Sequence, residues 1–296
     1  MHDQSLTDFE EHRRELLNLA YRMLGSFSEA EDVVQESWLR WQKAVEVEQP
    51  ASSRAYLRKI VSRLCLDYLK SARARRELYV GPWLPEPVCP PAQEELALER
   101  DISFGFMLAL ERLAPKQRAA FILHDIFELP FCEVAETIGA SEAAARQLAA
   151  RARRELSASR SRFPAEAAEA EALTQAFLNA SRSGDAEALK RIFAEDVRVY
   201  TDGGGVRPAA LNVIEGRERA KRLFLGLYRK FAGTPPPILY RGTINASPGF
   251  VTLEADNIPQ ATALEIRGDR IGVVYIIRNP EKLKLIARAA FPPRAR

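Results

Sequence analysis

The chain has 296 residues, 47% of them hydrophobic, which is enough for two or three modest domains that each bury a core. Its three cysteines, Cys65, Cys89 and Cys132, form no CxxC pair and are odd in number, which argues against a disulfide framework or a thiolate zinc site and for a reducing compartment. A formal net charge of +3 is too small to announce a nucleic-acid partner, and no apolar run approaches the roughly 18 residues that a membrane span requires.

Taken in order, residues 6–77 read as helices almost throughout, interrupted at "EVEQPASS". The stretch "LGSFSEAEDVVQESWLRW" carries Asp32, Gln35 and Glu36 at i, i+3 and i+4, an acidic and polar strip opposite Val34, Trp38 and Trp41. No histidine lies nearby and two carboxylates are too few ligands for a metal, so the strip reads as a surface that docks a protein. The next helix keeps Leu57, Ile60, Val61, Leu64 and Leu69 at helical spacing and interleaves Arg58, Lys59, Arg63, Lys70 and Arg73 with them. That pattern predicts one long, amphipathic, basic helix. Trp38, Trp41, Tyr56 and Tyr68 are expected to pack in the core.

From about 78 to 93 the chain is proline-rich, and "GPWLPEP" (Gly81 to Pro87) forbids a helix. A stiff linker is predicted there, with Trp83 as an anchor too large to leave exposed. Helical patterning returns to about residue 160. Within it, a helix from about Pro130 to Ile138, Gly139, the N-cap Ser141 and a second helix from Glu142 make a helix-turn-helix. Ala145, Leu148, Ala149, Ala152 and Leu156 share one face of that second helix, while Glu142, Arg146, Gln147, Arg151, Arg153 and Arg154 serve as the polar, basic residues that would meet DNA. Short side chains with Arg and Gln on the open face suit a major groove, where Arg grips guanine and Gln the edge of adenine.

Past Phe163 and Pro164 the composition changes again. Residues 166–193 read as helix, and 197–277 as short strand-like runs between Gly, Pro and Asn turns, giving an α+β segment. "DGGG" (Asp202, Gly203, Gly204, Gly205) lacks the lysine of a phosphate loop and reads as a strand-connecting turn whose glycines admit a close backbone approach. His2, His12 and His124 all lie outside this segment, which disfavours an enzyme. The acids Asp202, Glu254, Asp256 and Glu265 are expected to be exposed carboxylates, with no catalytic residue, metal or cofactor assigned.

"AEDVVQESWLRW", the basic helix "RAYLRKIVSRLCLDYLKSARARR" and the helix-turn-helix together resemble, over residues 8–160, regions two and four of bacterial extracytoplasmic-function sigma factors. "WLPEP", "YTDGGGV" and "NPEKL" (with Asn279 and Pro280) resemble the subgroup that carries a C-terminal SnoaL-like domain. That subgroup usually has Lys after the three glycines, where this chain has Val206. The resemblance implies a multidomain fold: an all-α region 2 at 1–78, a linker at 79–95, an all-α region 4 at 96–162, and an α+β SnoaL-like cone with a curved sheet at 166–296. It implies RNA polymerase core as the partner of Asp32, Gln35 and Glu36. Minus-10 promoter DNA falls to Arg58, Lys59, Arg63, Lys70 and Arg73, and minus-35 DNA to the second helix of the pair, from Ser141 to Arg154. Trp83, Leu84, Pro85, Glu86 and Pro87 would join Asp202, Gly203, Gly204, Gly205, Asn279 and Pro280 in a regulatory contact between domains.

With only Tyr56 and Tyr68 as aromatic platforms, capture of a displaced strand would rest on charge more than stacking, which favours stringent promoter choice. The expectation is a cytoplasmic sigma factor regulated in cis, with room for a small-molecule ligand in the C-terminal cavity. Its rivals are a helix-turn-helix regulator that never meets polymerase and a SnoaL-like enzyme fused to a DNA-binding module.

Overall fold

The structure, a computed structural model, describes residues 2–47, 50–90, 102–157, 167–230 and 234–290; the side chains of 2–4, 72–77, 167 and 288–290 are outside that description. The chain divides into two compact units. One comprises residues 1–78 and 90–160; the other joins residues 79–89 to 161–296.

The first unit is helical. Helices α1 (His2–Leu24), α2 (Phe27–Val47) and α3 (Ser53–Glu77) pack on one another through Leu16, Ala20, Leu24, Val34, Leu57, Val61 and Cys65, all buried at helical spacing. Trp41 is buried, its indole N–H donating to the Ser5 carbonyl at 3.0 Å. Tyr68 donates to Glu29 at 2.7 Å, Tyr56 lies against Trp41 and Trp38 against Phe9, so the four aromatics pack within this unit as expected.

After α4 (Phe104–Arg112) and α5 (Pro115–Phe121) comes one π-helical turn, Ile122–Ile126, which the periodicity does not reveal. Then α6 (Phe131–Ile138) ends on Gly139 at φ 61°, a left-handed cap, and Ser141 Oγ accepts the Ala144 N–H at 3.2 Å to start α7 (Glu142–Ser157). This is the helix-turn-helix, its helices held through Val134, Ile138, Ala145, Ala149, Ala152 and Leu156. Arg118, 2% exposed, ties the two halves of the unit: it donates to Leu110 O at 2.8 Å, to Met23 O of α1 at 2.7 Å and to Glu111 at 2.6 Å. Burial lowers its pKa to about 9, still charged at neutral pH.

The second unit is α+β. Helices α8 (Ala167–Ser183) and α9 (Ala186–Ile192) precede a six-stranded mixed sheet in the order β2-β1-β6-β5-β4-β3. The strands are β1 (Phe193–Asp202), β2 (Ile214–Glu215), β3 (Ile238–Ile244), β4 (Ser247–Leu253), β5 (Pro259–Arg267) and β6 (Arg270–Ile277). Only β1 and β6 run parallel, pairing Val199 with Val274 and Asp202 with Ile277; the sheet is open at both edges. One face holds the core, where Phe177, Phe193, Phe224 and Phe250 meet Leu264, Val274 and Ile276.

A helix, α10 (Arg217–Lys230), interrupts the region read from sequence as strands alone. Its buried Ala220 and Phe224 are four apart and face the core, a period that the many arginines around them mask. A 3-10 turn (Pro280–Leu283) and α11 (Lys284–Ala290) follow β6. Among the described residues, no helix is long and apolar enough to cross a membrane.

Candidate functional site

The polar strip on α2 forms as expected: Asp32, Gln35 and Glu36 are exposed together, Glu36 paired with Arg40 at 3.0 Å. Beside it, Asp32 and Gln35 edge a groove between α1 and α2 that Phe9, Val34 and Trp38 also line.

The cations of α3 behave differently from one another. Arg58 pairs with Glu15 of α1, and Lys59 pairs with Glu136 of α6, whose carboxyl it holds below the usual range. Arg63 donates to the Glu136 carbonyl at 3.1 Å, and Lys70 pairs with Asp67 at 2.8 Å. Part of the surface expected to face a displaced DNA strand thus contacts the helix-turn-helix. The Arg73 side chain lies outside the described residues.

On α7, Glu142, Arg146, Gln147, Arg151, Arg153 and Arg154 are all exposed. Arg146 pairs with Glu142 and lies 4.9 Å over the Phe131 ring, and Arg153 reaches Asp125 at 2.5 Å. The opposite face is alanine-rich, which lets α7 sit close to α6 while its basic face stays open.

In the second unit the structure brings "GPWLPEP", "DGGG" and "NPEKL" to one place. Asp202 ends β1 and is fully buried, so its carboxylate must find donors nearby. It has four. Tyr79 Oη donates at 2.5 Å, Leu84 N at 2.9 Å, Lys282 Nζ at 2.7 Å and Gly204 N at 3.0 Å. Lys282 also donates to Leu84 O at 2.5 Å and sits 4.2 Å from the Trp83 ring centroid and 4.8 Å from that of Tyr79, a cation caged by two aromatic faces. Asn279 donates to Tyr79 Oη at 2.8 Å while its Oδ1 caps the 3-10 turn at Glu281 N.

Further along, Val88 N donates to Asn245 Oδ1 at 2.6 Å, and Asn245 N donates back to Val88 O at 3.0 Å. Asn245 and Ala246 both have positive φ, 48° and 55°, the two-residue turn that joins β3 to β4. Between these two fastenings the chain is buried from Leu84 to Val88. Pro85 and Pro87 have no N–H, so a buried, extended segment there has fewer donors to satisfy.

The three glycines earn their place by proximity. A Cβ on Gly203 would lie 2.2 Å from the Arg207 carbonyl, and one on Gly204, at φ 65°, would lie 2.4 Å from the Asn279 amide. Val206, 72% exposed, takes no part in the cluster; the cation there is Lys282.

Asp202 and Glu254 are buried, which corrects the expectation of exposed carboxylates: one is consumed by linker donors, the other accepts from Thr252 Oγ1 at 3.1 Å. Glu265 is half-buried, bonded to Arg267 and to Tyr275, and Asp256 alone is exposed. Tyr79, Asn245 and Lys282 were not singled out by sequence reasoning. Lys282 lies inside "NPEKL", but Tyr79 precedes "GPWLPEP" and Asn245 sits in a remote hairpin.

Burial first, then the neighbouring Asp202 charge, raises the Tyr79 phenol far above its ordinary value. A raised folded-state pKa means that its contribution is complete below the unfolded value, about 10, and is lost only as pH climbs through the higher folded one. At a pH of about 10, where an ordinary phenol is half ionised, Tyr79→Phe should therefore leave the phenolate absorbance of the chain unchanged. A drop in that absorbance would show that Tyr79 titrates normally and is not held.

A helical unit that carries a helix-turn-helix and an α+β unit after it define a class. Sigma-70 region 2 matches residues 9–75, and Sigma-70 region 4 matches residues 104–156. The chain is 38% identical over 292 residues to the ECF RNA polymerase sigma factor SigJ of Mycobacterium tuberculosis, spanning 94% of this chain and 92% of that one. It is 31% identical over 290 residues to the probable ECF RNA polymerase sigma factor SigI of the same species, spanning 95% and 96%. The crystal structure of SigJ superposes with a TM-score of 0.77 at 34% identity, covering 97% of this chain and 99% of that chain. The chain belongs to the extracytoplasmic-function sigma factors and is an alternative RNA polymerase sigma factor, a transcription initiation factor and not an enzyme. Its C-terminal domain is SnoaL-like.

Proposed function

We propose that the chain directs RNA polymerase core to a minus-35/minus-10 promoter and that its C-terminal domain controls this in cis by holding the connection between the two DNA-reading regions. Residues 1–78 bind core through Asp32, Gln35 and Glu36 and the minus-10 element through Arg58, Lys59, Arg63, Lys70 and Arg73. Residues 96–162 bind the minus-35 element through α7.

The observation that carries this reading is the capture of residues 79–89 by Asp202, Lys282 and Asn245. Its force comes from a length. The two promoter elements are roughly 25 base pairs apart, so at about 3.4 Å per pair they lie ~85 Å apart along the duplex. Helices α3 and α6 are joined through Lys59, Arg63 and Glu136, at hydrogen-bond distance. Both elements cannot be engaged while that contact stands. The halves have to part, and the chain between them has to follow. Surface ion pairs such as Lys59–Glu136 yield readily and are screened by salt. A buried segment clamped at Leu84 and Val88 does not, so the C-terminal domain sets the resistance.

Reversing the strip, with Asp32→Lys and Glu36→Lys together, should reduce binding to purified core polymerase at least about tenfold, each lost contact at a docking interface being worth on the order of 1 kcal/mol or more. Affinity for minus-35 duplex should stay within about twofold. A chain that keeps core affinity after reversal docks elsewhere; one that never binds core is a helix-turn-helix regulator of another kind.

A further inference from the structure

Helices α8 and α10 and the inner face of the sheet line a half-open cavity of about 340 Å³, near the lower end of the range for small-molecule sites. Its body is apolar, built by Phe177, Leu223, Leu227, Phe250 and Ile276. Its charged lining is one-sided: Arg182, Lys230 and Arg278 against the single carboxylate of Glu254.

Hydrogen bonding sharpens the imbalance. Nη1 of Arg182 and Nε of Arg278 are buried and have no hydrogen-bond partner among the described residues; no lining side chain leaves a buried acceptor in that condition. Arg278 keeps its position through Nη1, which donates to the Pro208 carbonyl at 2.5 Å. Buried guanidinium N–H groups with nothing to donate to are costly, and an apolar ligand with a planar anionic head answers both the shape and the charge.

We propose that this cavity binds a small aromatic or aliphatic carboxylate, its body among the phenylalanines and its head on Arg182 and Arg278, and that occupancy is felt by the linker. The coupling runs through two pairs of consecutive residues, one at the end of β1 and one just past the end of β6. Thr201 lines the cavity, where its Oγ1 accepts the Ala210 N–H at 2.7 Å; the next residue, Asp202, faces away and holds Tyr79 and Leu84. Arg278 lines the cavity while its own N–H donates to the Asp202 carbonyl at 2.7 Å; the next residue, Asn279, donates to Tyr79. A shift of either lining residue moves a linker fastening one residue away. The binding half of the proposal stands alone; the coupling half rests on the linker capture described above.

The test uses the full chain and two probes of nearly equal size, 2-naphthoate and the neutral 2-naphthalenemethanol, in calorimetric titrations. A site built to bond a charged head discriminates sharply against the analogue that lacks it. Naphthoate should bind about tenfold tighter or more than the alcohol. Arg182→Met and, separately, Arg278→Met should each remove most of that preference while leaving the alcohol within about twofold, with melting curves confirming that both variants fold. Equal affinities for the two probes, no heat from naphthoate, or equal weakening of both probes by the substitutions overturns the binding half. Hydrogen exchange at the Leu84 and Val88 amides, with and without saturating naphthoate, reads the coupling. A change of about threefold or more supports it, and unchanged exchange overturns that half alone. Loss of core binding or transcription in unliganded chain would instead strike the proposed function, so the two failures are distinguishable.

Discussion

Asp202→Ala should free the linker and raise transcription from a target promoter several-fold. The carboxylate is fully buried and accepts from four donors, of which Tyr79 and Leu84 belong to the captured segment and Lys282 is a cation with 12% of its side chain exposed. Removing one partner of a buried charge pair costs about 3–5 kcal/mol. At 1.4 kcal/mol per decade, exchange of the Leu84 amide should then accelerate by roughly two to three powers of ten, while Val274, central in the sheet, serves as an internal control. Asp202→Asn keeps the volume and one acceptor and should fall between. Leu84 exchange that stays as slow as in the parent chain would show that Asp202 is not the fastening; fast exchange with unaltered transcription would show that linker capture is not what regulates.

Arg118→Met should produce the largest loss of stability in the helical unit. No surface substitution compares, because this guanidinium is 2% exposed and serves two helix carbonyls, Met23 O and Leu110 O, as well as Glu111. Methionine fills the volume but donates nothing, so Glu111, Met23 O and Leu110 O all lose the guanidinium, although Leu110 O keeps the Leu113 N–H at 3.1 Å; the cost should be about 3–5 kcal/mol. For a unit of this size that corresponds to a drop of about 10 °C in the first melting transition. Glu111→Gln keeps an acceptor for Arg118 and should cost much less. Calorimetry that finds Arg118→Met within about 2 °C of the parent chain would mean that the two halves are held together by apolar packing and not by this hub.

The readings that came through from sequence rest on local chemistry. Asp32, Gln35 and Glu36 share a face because helix geometry puts i, i+3 and i+4 together wherever the helix goes. Gly139 and Ser141 mark the turn of the helix-turn-helix because a left-handed cap and an N-cap are properties of two or three adjacent residues. Trp83 in a proline-rich break was legible as an anchor for the same reason. Helix α10 was missed where its arginines blurred the apolar period, and the π-helical turn has no local signature at all.

What the amino-acid order by itself determined was most of the helices, the α+β character of the last third, the acidic strip, the basic faces and the family that their succession spells. Only the tertiary structure decided that Glu136 lies against Lys59, that Asp202 is a buried acceptor, and that Tyr79 and Lys282, 203 positions apart in numbering terms at most a few ångströms in space, share it. The physical reason is range. Helix faces and caps are settled within a turn or two of chain, whereas the burial of a carboxylate depends on which distant donors the fold brings to it, and a local pattern carries no record of them.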